Sequence, residues 1–332
     1  MVRLCNYAFL IVNARICNTL AAREPEAGQT AIRPLVRVVG VDLAAEPVRT
    51  AVAVLAWDDG KAVVEDLRIG ADDEAVLAAL AAADKAGLDA PFGWPDAFAA
   101  FLAVHQTGDV PVPGALTGQQ WRRQLAWRHT DETVRAATGL IPLSVAADRI
   151  GHAAMRCAGL LAKLGNAGRP VDRDGSGTVT EVYPAASLKQ WGLPYRGYKQ
   201  PRNLGALPEL VTALQAAAPW LELGSSDRLG RTSHDALDAV IAGLTARAAA
   251  LGLTLRPGPE LQPQASREGR IALPTAPLTK LTYEATRQGL RHREAAPDRR
   301  IGALSADAFS VESPTPIIQL CGERAEPIRL RE

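Results

Sequence analysis

Long apolar runs, paired cysteines and an excess of charge of either sign are missing from this 332-residue sequence. No stretch of about 18 consecutive apolar residues occurs, so we expect no membrane-spanning helix. The four cysteines are scattered, with no CxxC pair and no histidine at zinc-ligand spacing, which argues against a disulfide framework and a zinc site. The formal net charge is +1, so a nucleic acid partner would require a local basic patch.

The sequence also has no glycine-rich phosphate loop, since neither GxGxxG nor GxxxxGK[ST] occurs. The apolar stretch at 7–12 is interrupted by Asn13 and Arg15, which makes it short for the hydrophobic region of a signal peptide. With so few cysteines, a reducing, cytoplasmic location is the expectation.

Hydrophobic residues make up 47% of the chain, enough for a sizeable buried core. The pattern predicts a flexible extension at 1–35, one α/β domain at 36–275, and a polar, aperiodic and flexible tail at 276–332. Within the domain we predict a β-β-β-α-β opening, a mostly helical insertion at 94–175 with helical patterns at 97–105, 121–138 and 150–164, and a further strand and helix. A long helix at 233–251 follows, and 271–274 is predicted to be a terminal strand or clasp. The opening strands are predicted at 36–42, 49–57, 61–68 and 86–91, with the helix at 72–84.

Four aspartates stand at positions where a charge is unexpected. Asp42 and Asp89 each end an otherwise apolar strand, where an unpaired charge is costly. Ligands of α/β sheets collect outside such strand ends. Asp235 and Asp238 are three residues apart on the last helix, so they share one face.

Mg²⁺ and Mn²⁺ prefer oxygen ligands of this kind. Two such ions about 4 Å apart can activate a water and stabilise the leaving oxygen in phosphodiester hydrolysis. Asp42, on the predicted central strand, is the natural bridge between two ions, with Asp89, Asp235 and Asp238 holding the flanks. Each acid also has a purely structural interpretation: Asp42 and Asp89 as turn residues, Asp235 as a helix N-cap, and Asp238 as a solvated first-turn acid.

Several sequence blocks resemble the family catalogued as domain of unknown function 429, a predicted nuclease group with an RNase H-like fold. The blocks are 40–44 (GVDLA), 88–95 (LDAPFGWP), 128–131 (RHTD), 144–151 (SVAADRIG), 181–186 (EVYPAA), 235–239 (DALDA) and 267–274 (REGRIALP). The final helix is also similar to that of Holliday-junction resolvases, in which a D-x-x-D pair completes a metal site.

The resemblance spans about 240 residues, by the reach of these blocks. It implies a mixed five-stranded sheet flanked by helices, with the helical insertion between the fourth and fifth strands. It places Asp42 on the first strand and Asp89 on the fourth. Glu181 is then a candidate ligand or general base from the fifth strand, or equally an edge-strand acid facing solvent.

Arginines in the insertion are candidates for phosphate recognition, because a guanidinium group matches phosphate geometry. They are Arg128, Arg149 and Arg173.

The resulting hypothesis is a nuclease that depends on two Mg²⁺ or Mn²⁺ ions, with Asp42, Asp89, Asp235, Asp238 and Glu181 as catalytic residues and nucleic acid as substrate. One alternative is a nucleotide-binding phosphotransferase or ATPase of the related actin-like fold, although the duplicated half of that fold is not found in the sequence. Another is a binding protein that keeps the fold without chemistry. None of the three needs a membrane.

Overall fold

A mixed sheet of six strands forms the centre of the computed structural model, with helices on both of its faces. The structure describes residues 36–109, 118–200 and 202–282. The predicted flexible extension at 1–35 lies outside these residues, as does most of the predicted tail. The strands are β1 (Val36–Asp42), β2 (Ala51–Asp58), β3 (Lys61–Ile69), β4 (Lys85–Asp89), β5 (Val179–Glu181) and β6 (Leu221–Glu222).

Ten α-helices are found among the described residues. They are α1 (Asp73–Ala82), α2 (Asp96–His105), α3 (Gly118–Ala126), α4 (His129–Thr138), α5 (Ile150–Asn166), α6 (Pro184–Gln190), α7 (Ala206–Ala217), α8 (Asp227–Thr232), α9 (His234–Ala250) and α10 (Gln262–Glu268). None of these helices is long and apolar enough to cross a membrane.

The strand order in the sheet is β5-β4-β1-β2-β3-β6. The first three strands form an antiparallel meander, while β4 and β5 add in parallel on the other side of β1. The sheet therefore has six strands and not the predicted five. The extra strand, β6, pairs with β3 through only two residues, which is too short to produce a periodic pattern.

The predicted helical insertion between the fourth and fifth strands is present as α2 to α5. The single helix suggested by the pattern at 121–138 is instead two, α3 and α4. Arg128 separates them in an extended conformation (φ −74°, ψ 162°) and begins α4 as its N-cap, while the Asp131 side chain accepts a hydrogen bond from the Arg128 backbone N–H. The break therefore has a local cause that apolar spacing does not reveal.

The sheet separates two apolar layers, because successive residues of a strand point to opposite faces. On β1, Val38 packs into a cluster with α7 and α9, whereas Val39 and Val41 pack into a cluster with α1 and α5. Strands that are covered on both faces are expected to be almost continuously apolar, and residues 36–41 fit this expectation with Arg37 as the one charged residue.

The core extends beyond the predicted domain end at 275. Leu278 and Leu281 are buried in the same cluster as α9. The segment at 271–274, predicted as a strand or clasp, forms isolated bridges from Ile271 to Glu181 and from Pro274 to Thr254. The segment therefore pairs with the edge strand β5 at one residue but does not form a continuous strand.

The long helix α9 lies directly on the backbone of the central strands. A Cβ atom at Gly40 of β1 would overlap the Ala239 carbonyl oxygen and the Gly243 nitrogen of α9. A Cβ at Gly87 of β4 would lie 2.5 Å from the Ala242 carbonyl oxygen. The absence of side chains at these points is what allows helix and sheet to approach so closely.

We expect Gly40→Ala to lower the free energy of unfolding by about 3 kcal/mol or more, since the added methyl group meets backbone atoms that cannot rotate away. Urea unfolding measures the change. Gly159→Ala is the matched control: Gly159 is an exposed position inside α5 with open space around it. There the substitution should raise stability by about 0.5–1 kcal/mol through helix propensity. Equal effects of the two substitutions would contradict the close contact.

Candidate functional site

Two aspartates lie side by side where the central parallel strands end. Asp42 is the last residue of β1 and Asp89 the last residue of β4, and the two are direct partners in the parallel register. Neighbouring strands are about 4.8 Å apart, so the two carboxyl groups are neighbours at this edge of the sheet. Both residues are partly buried.

Helix α9 brings Asp238 to the same edge. Ala239 touches the sheet at Gly40, two residues before the end of β1. Ala242 touches it at Gly87, two residues before the end of β4. The residues that precede these contacts, Asp238 among them, therefore lie towards the strand ends. The charge of Asp238 acts on both Asp42 and Asp89.

Asp238 is completely buried and has two polar neighbours from the loop between α6 and α7. The Tyr198 hydroxyl donates a hydrogen bond of 2.9 Å to its Oδ1 atom. The Lys199 ammonium group forms an ion pair with its Oδ2 atom. We call Asp42, Asp89 and Asp238 the carboxylate cluster, and Lys199 contributes a positive charge to it.

The electrostatics of the cluster are those of like charges held together in a poorly solvated place. Burial raises the pKa of Asp89 to about 7; the Lys199 charge opposes this increase and the Asp238 charge adds to it. The pKa of Asp42 is also raised well above its usual range, first by burial and then by the charges of Asp89 and Asp238. An additional cation beside these carboxylates would stabilise their ionised forms and lower their pKa values.

Asp235, the fourth predicted ligand, is bound by an arginine. Arg49 donates two hydrogen bonds to it, Nε to Oδ2 at 2.8 Å and Nη2 to Oδ1 at 3.0 Å. Burial would raise the pKa of Asp235, but the hydrogen bond from Arg49 and the charges of His234 and Arg49 outweigh burial and lower it. Ser233, and not Asp235, is the N-cap of α9, since its side chain accepts from the Ala236 N–H. Asp235 therefore lies beside the cluster with its charge already compensated.

Glu181 and Arg128 belong to a second, fully buried ionic network. Arg128 donates from Nη2 to Glu181 Oε1 at 2.7 Å and to Asp131 Oδ1 at 2.8 Å, and from Nη1 to Glu181 Oε2 at 2.8 Å. The Phe92 backbone N–H donates to the same Oε2 atom. Only 2% of the Arg128 side chain is exposed, which leaves no surface for the phosphate contact predicted from the sequence.

The other predicted phosphate contacts, Arg149 and Arg173, are exposed. Arg149 is the N-cap of α5, and Arg173 donates to the Arg267 carbonyl oxygen at 3.1 Å. Their proposed role in binding remains a prediction.

The donor set of the cluster suits a divalent cation, because all three groups are carboxylates and hard ions prefer oxygen. Within the described part of the chain, however, no group of three or more His, Cys, Asp or Glu side chains is arranged to hold a metal ion. The positive charge that the structure places among these acids is the ammonium group of Lys199.

Sequence reasoning missed Tyr198, Lys199 and Arg49. The first two lie in a loop without apolar periodicity, and Arg49 ends a short 3₁₀ turn before β2. The one available signal was indirect: a cluster of buried acids requires a compensating cation. That rule does not say which of the many basic residues supplies it.

These observations define an α/β protein with a carboxylate cluster at the carboxyl edge of a mixed sheet. The chain belongs to the family of proteins of unknown function called DUF429, whose model matches residues 40–262. The match ends at residue 262, so it does not cover the 267–274 block. A search of curated proteins found no match. A search of solved structures found none either.

We expect Asp89→Asn to make the protein more stable at pH 8. A carboxyl group whose pKa is raised on folding to about 7, from an ordinary 3.8, binds more protons in the folded state. Its contribution to the free energy of unfolding therefore falls as pH rises from about 4 to 7. Asparagine cannot ionise and removes that decrease. Urea unfolding at pH 4.5 and 8 should show a gain of about 1–3 kcal/mol at pH 8 only, as each pKa unit corresponds to about 1.4 kcal/mol.

The control for Asp89→Asn is Asp58→Asn, at an exposed position that ends β2. It should change stability little at either pH. Loss of stability in Asp89→Asn at pH 8 would contradict the electrostatic account of the cluster.

We expect Arg128→Met to lower the free energy of unfolding by about 3–5 kcal/mol, because it leaves Glu181 and Asp131 as buried, unpaired acids. Arg135→Met is the control, since Arg135 lies on the surface of α4 and forms an exposed ion pair with Glu132 at 3.7 Å. The control should change stability by less than about 1 kcal/mol. Thermal and urea unfolding measure both, and comparable losses would show that the buried network is not stabilising.

Proposed function

We propose that this protein is a metal-dependent phosphodiesterase of RNase H-like fold that hydrolyses nucleic acid. The observation that carries the proposal is the convergence of Asp42, Asp89 and Asp238 at the ends of the two central parallel strands. The strand order supports the fold: a meander of β1, β2 and β3, extended in parallel by β4 and β5 on the other side of β1. Family membership is consistent with the proposal but supplies no activity, because a fold alone does not define a function.

Each acid has a role that follows from its place. Asp42 is on the central strand with Asp89 on one side and α9 above it, so Asp42, Asp89 and Asp238 are the residues that would hold a Mg²⁺ or Mn²⁺ ion. Asp238 is held in one orientation by the Tyr198 hydroxyl. A bound divalent ion would lower the pKa of a water and polarise a phosphoryl oxygen.

Asp235 and Glu181 have different roles in this proposal from those predicted by sequence. Asp235 orients Arg49, whose side chain is 59% exposed beside the cluster and carries a charge suited to a phosphate. Glu181 binds the buried Arg128, and its charge acts on Asp89. In this proposal the Glu181 side chain does not contact the substrate.

The proposal predicts that the protein cleaves a labelled single- or double-stranded DNA or RNA in the presence of Mn²⁺ or Mg²⁺, and that Asp42→Asn lowers this activity by at least about 1,000-fold. The loss is expected because an amide cannot replace the shared carboxylate. Gel analysis of the four substrates, with chelator as the metal-free reference, measures it.

Asp58→Asn should cleave at the rate of the unsubstituted protein, and circular dichroism should show that both variants are folded. Cleavage by folded Asp42→Asn at the unsubstituted rate would refute the assignment of the site. The absence of cleavage of all four substrates by the unsubstituted protein would refute the nuclease proposal itself.

A further inference from the structure

Lys199 is the cation that the fold places within the carboxylate cluster. Its ammonium group forms an ion pair with Oδ2 of the completely buried Asp238. Its charge also acts on Asp89 and Asp42. A lysine that contacts Asp238 and whose charge acts on the other two acids balances part of a charge that burial would otherwise make very unfavourable.

The backbone next to Lys199 is anchored. Tyr198 is 5% exposed, packs into the apolar cluster of α7 and α9, and donates its hydroxyl proton to Asp238. Lys199 also lies over the Tyr198 ring, with its Nζ atom 5.8 Å from the ring centre. Two consecutive residues of one loop thus contact the two oxygens of one carboxylate. The Lys199 side chain is 47% exposed, so its ammonium group bridges the buried Asp238 and the surface.

A count of charges shows what the cluster can still accept. Asp42, Asp89 and Asp238 carry three negative charges when ionised, and Lys199 carries one positive charge. Outside the cluster, Asp235 is paired with Arg49, and Glu181 shares Arg128 with Asp131. The remaining two negative charges are balanced by a single divalent cation.

We propose that Lys199 fills one cation position of the cluster, so that the site takes one divalent ion and not the two expected from the acids alone. This inference rests on the proposed function, because it concerns the metal of the same site. Lys199 is then a positioning residue that orients Asp238 and limits the number of ions.

The number of bound Mn²⁺ ions tests the inference directly and does not depend on activity. MnCl₂ is titrated into the full chain, with free Mn²⁺ followed by electron paramagnetic resonance and the stoichiometry checked by calorimetry. We expect one ion per chain for the unsubstituted protein and one for Lys199→Arg, which keeps the charge. We expect two ions for Lys199→Met, which has a stem of similar length without a charge.

The matched control is Lys189→Met, because Lys189 is a lysine on α6 whose ammonium group likewise lies over a tyrosine ring, 4.8 Å from the centre of Tyr195. It should bind one ion. Two ions in the unsubstituted protein would overturn the inference and leave the nuclease proposal standing. One ion in a folded Lys199→Met protein would also overturn it. No bound Mn²⁺ in any variant would overturn both. If Lys199→Met does not fold, the count for the unsubstituted protein decides.

Discussion

The close approach of α9 to β1 and β4 is the constraint on which the rest of the structure depends. Gly40 and Gly87 let helix backbone lie against strand backbone, where even a methyl group would overlap. Because the contact is made about two residues before each strand ends, it also determines where the start of α9 lies. The same packing that excludes water from the core therefore brings Asp238 to Asp42 and Asp89. A looser contact with larger side chains would separate these acids by several ångströms. The geometry of the site therefore depends on the close packing of α9 against the sheet.

The protein contains two groups of buried acids that are compensated in opposite ways. In the network of Arg128, Asp131 and Glu181, a guanidinium group makes bidentate contacts and every polar atom is far from solvent. Such a network is rigid and leaves little room for a ligand. In the carboxylate cluster, Lys199 forms an ion pair with Asp238, and its charge also acts on Asp42 and Asp89. The pKa values of Asp42 and Asp89 nevertheless remain raised. Perturbed ionisation of this kind is typical of functional sites. The first group holds the insertion on the sheet, and the second retains raised pKa values that an additional cation would lower.

These contrasts also explain how far the site could be predicted. Asp42 and Asp89 were identifiable because each ends an apolar strand, and the D-x-x-D spacing marked Asp238. Asp235 shares that spacing, yet the structure pairs it with Arg49, which is 186 residues away in the chain. Glu181 and Arg128, predicted to be a catalytic acid and a phosphate contact, are instead ionic partners 53 residues apart. No local pattern distinguishes an acid that faces an open site from one that faces an arginine.

The sequence by itself determined the class of fold, the bounds of β1, the hairpin that follows it, the helices between β4 and β5, and the long helix α9. These elements are encoded locally, by apolar alternation in strands, by helical periodicity, and by glycine in the turn at Asp59 and Gly60, where φ is 42° and 77°. Only the tertiary structure decided the sixth strand and the burial of Leu278 and Leu281. The division of 121–138 into two helices has a local cause, the hydrogen bond from the Arg128 N–H to the Asp131 side chain, which apolar spacing does not reveal. The tertiary structure also decided which charge neutralises which. These ion pairs form between residues that are distant in the chain. Which residues pair depends on how the helices and strands pack, and the local sequence around each residue does not specify this packing.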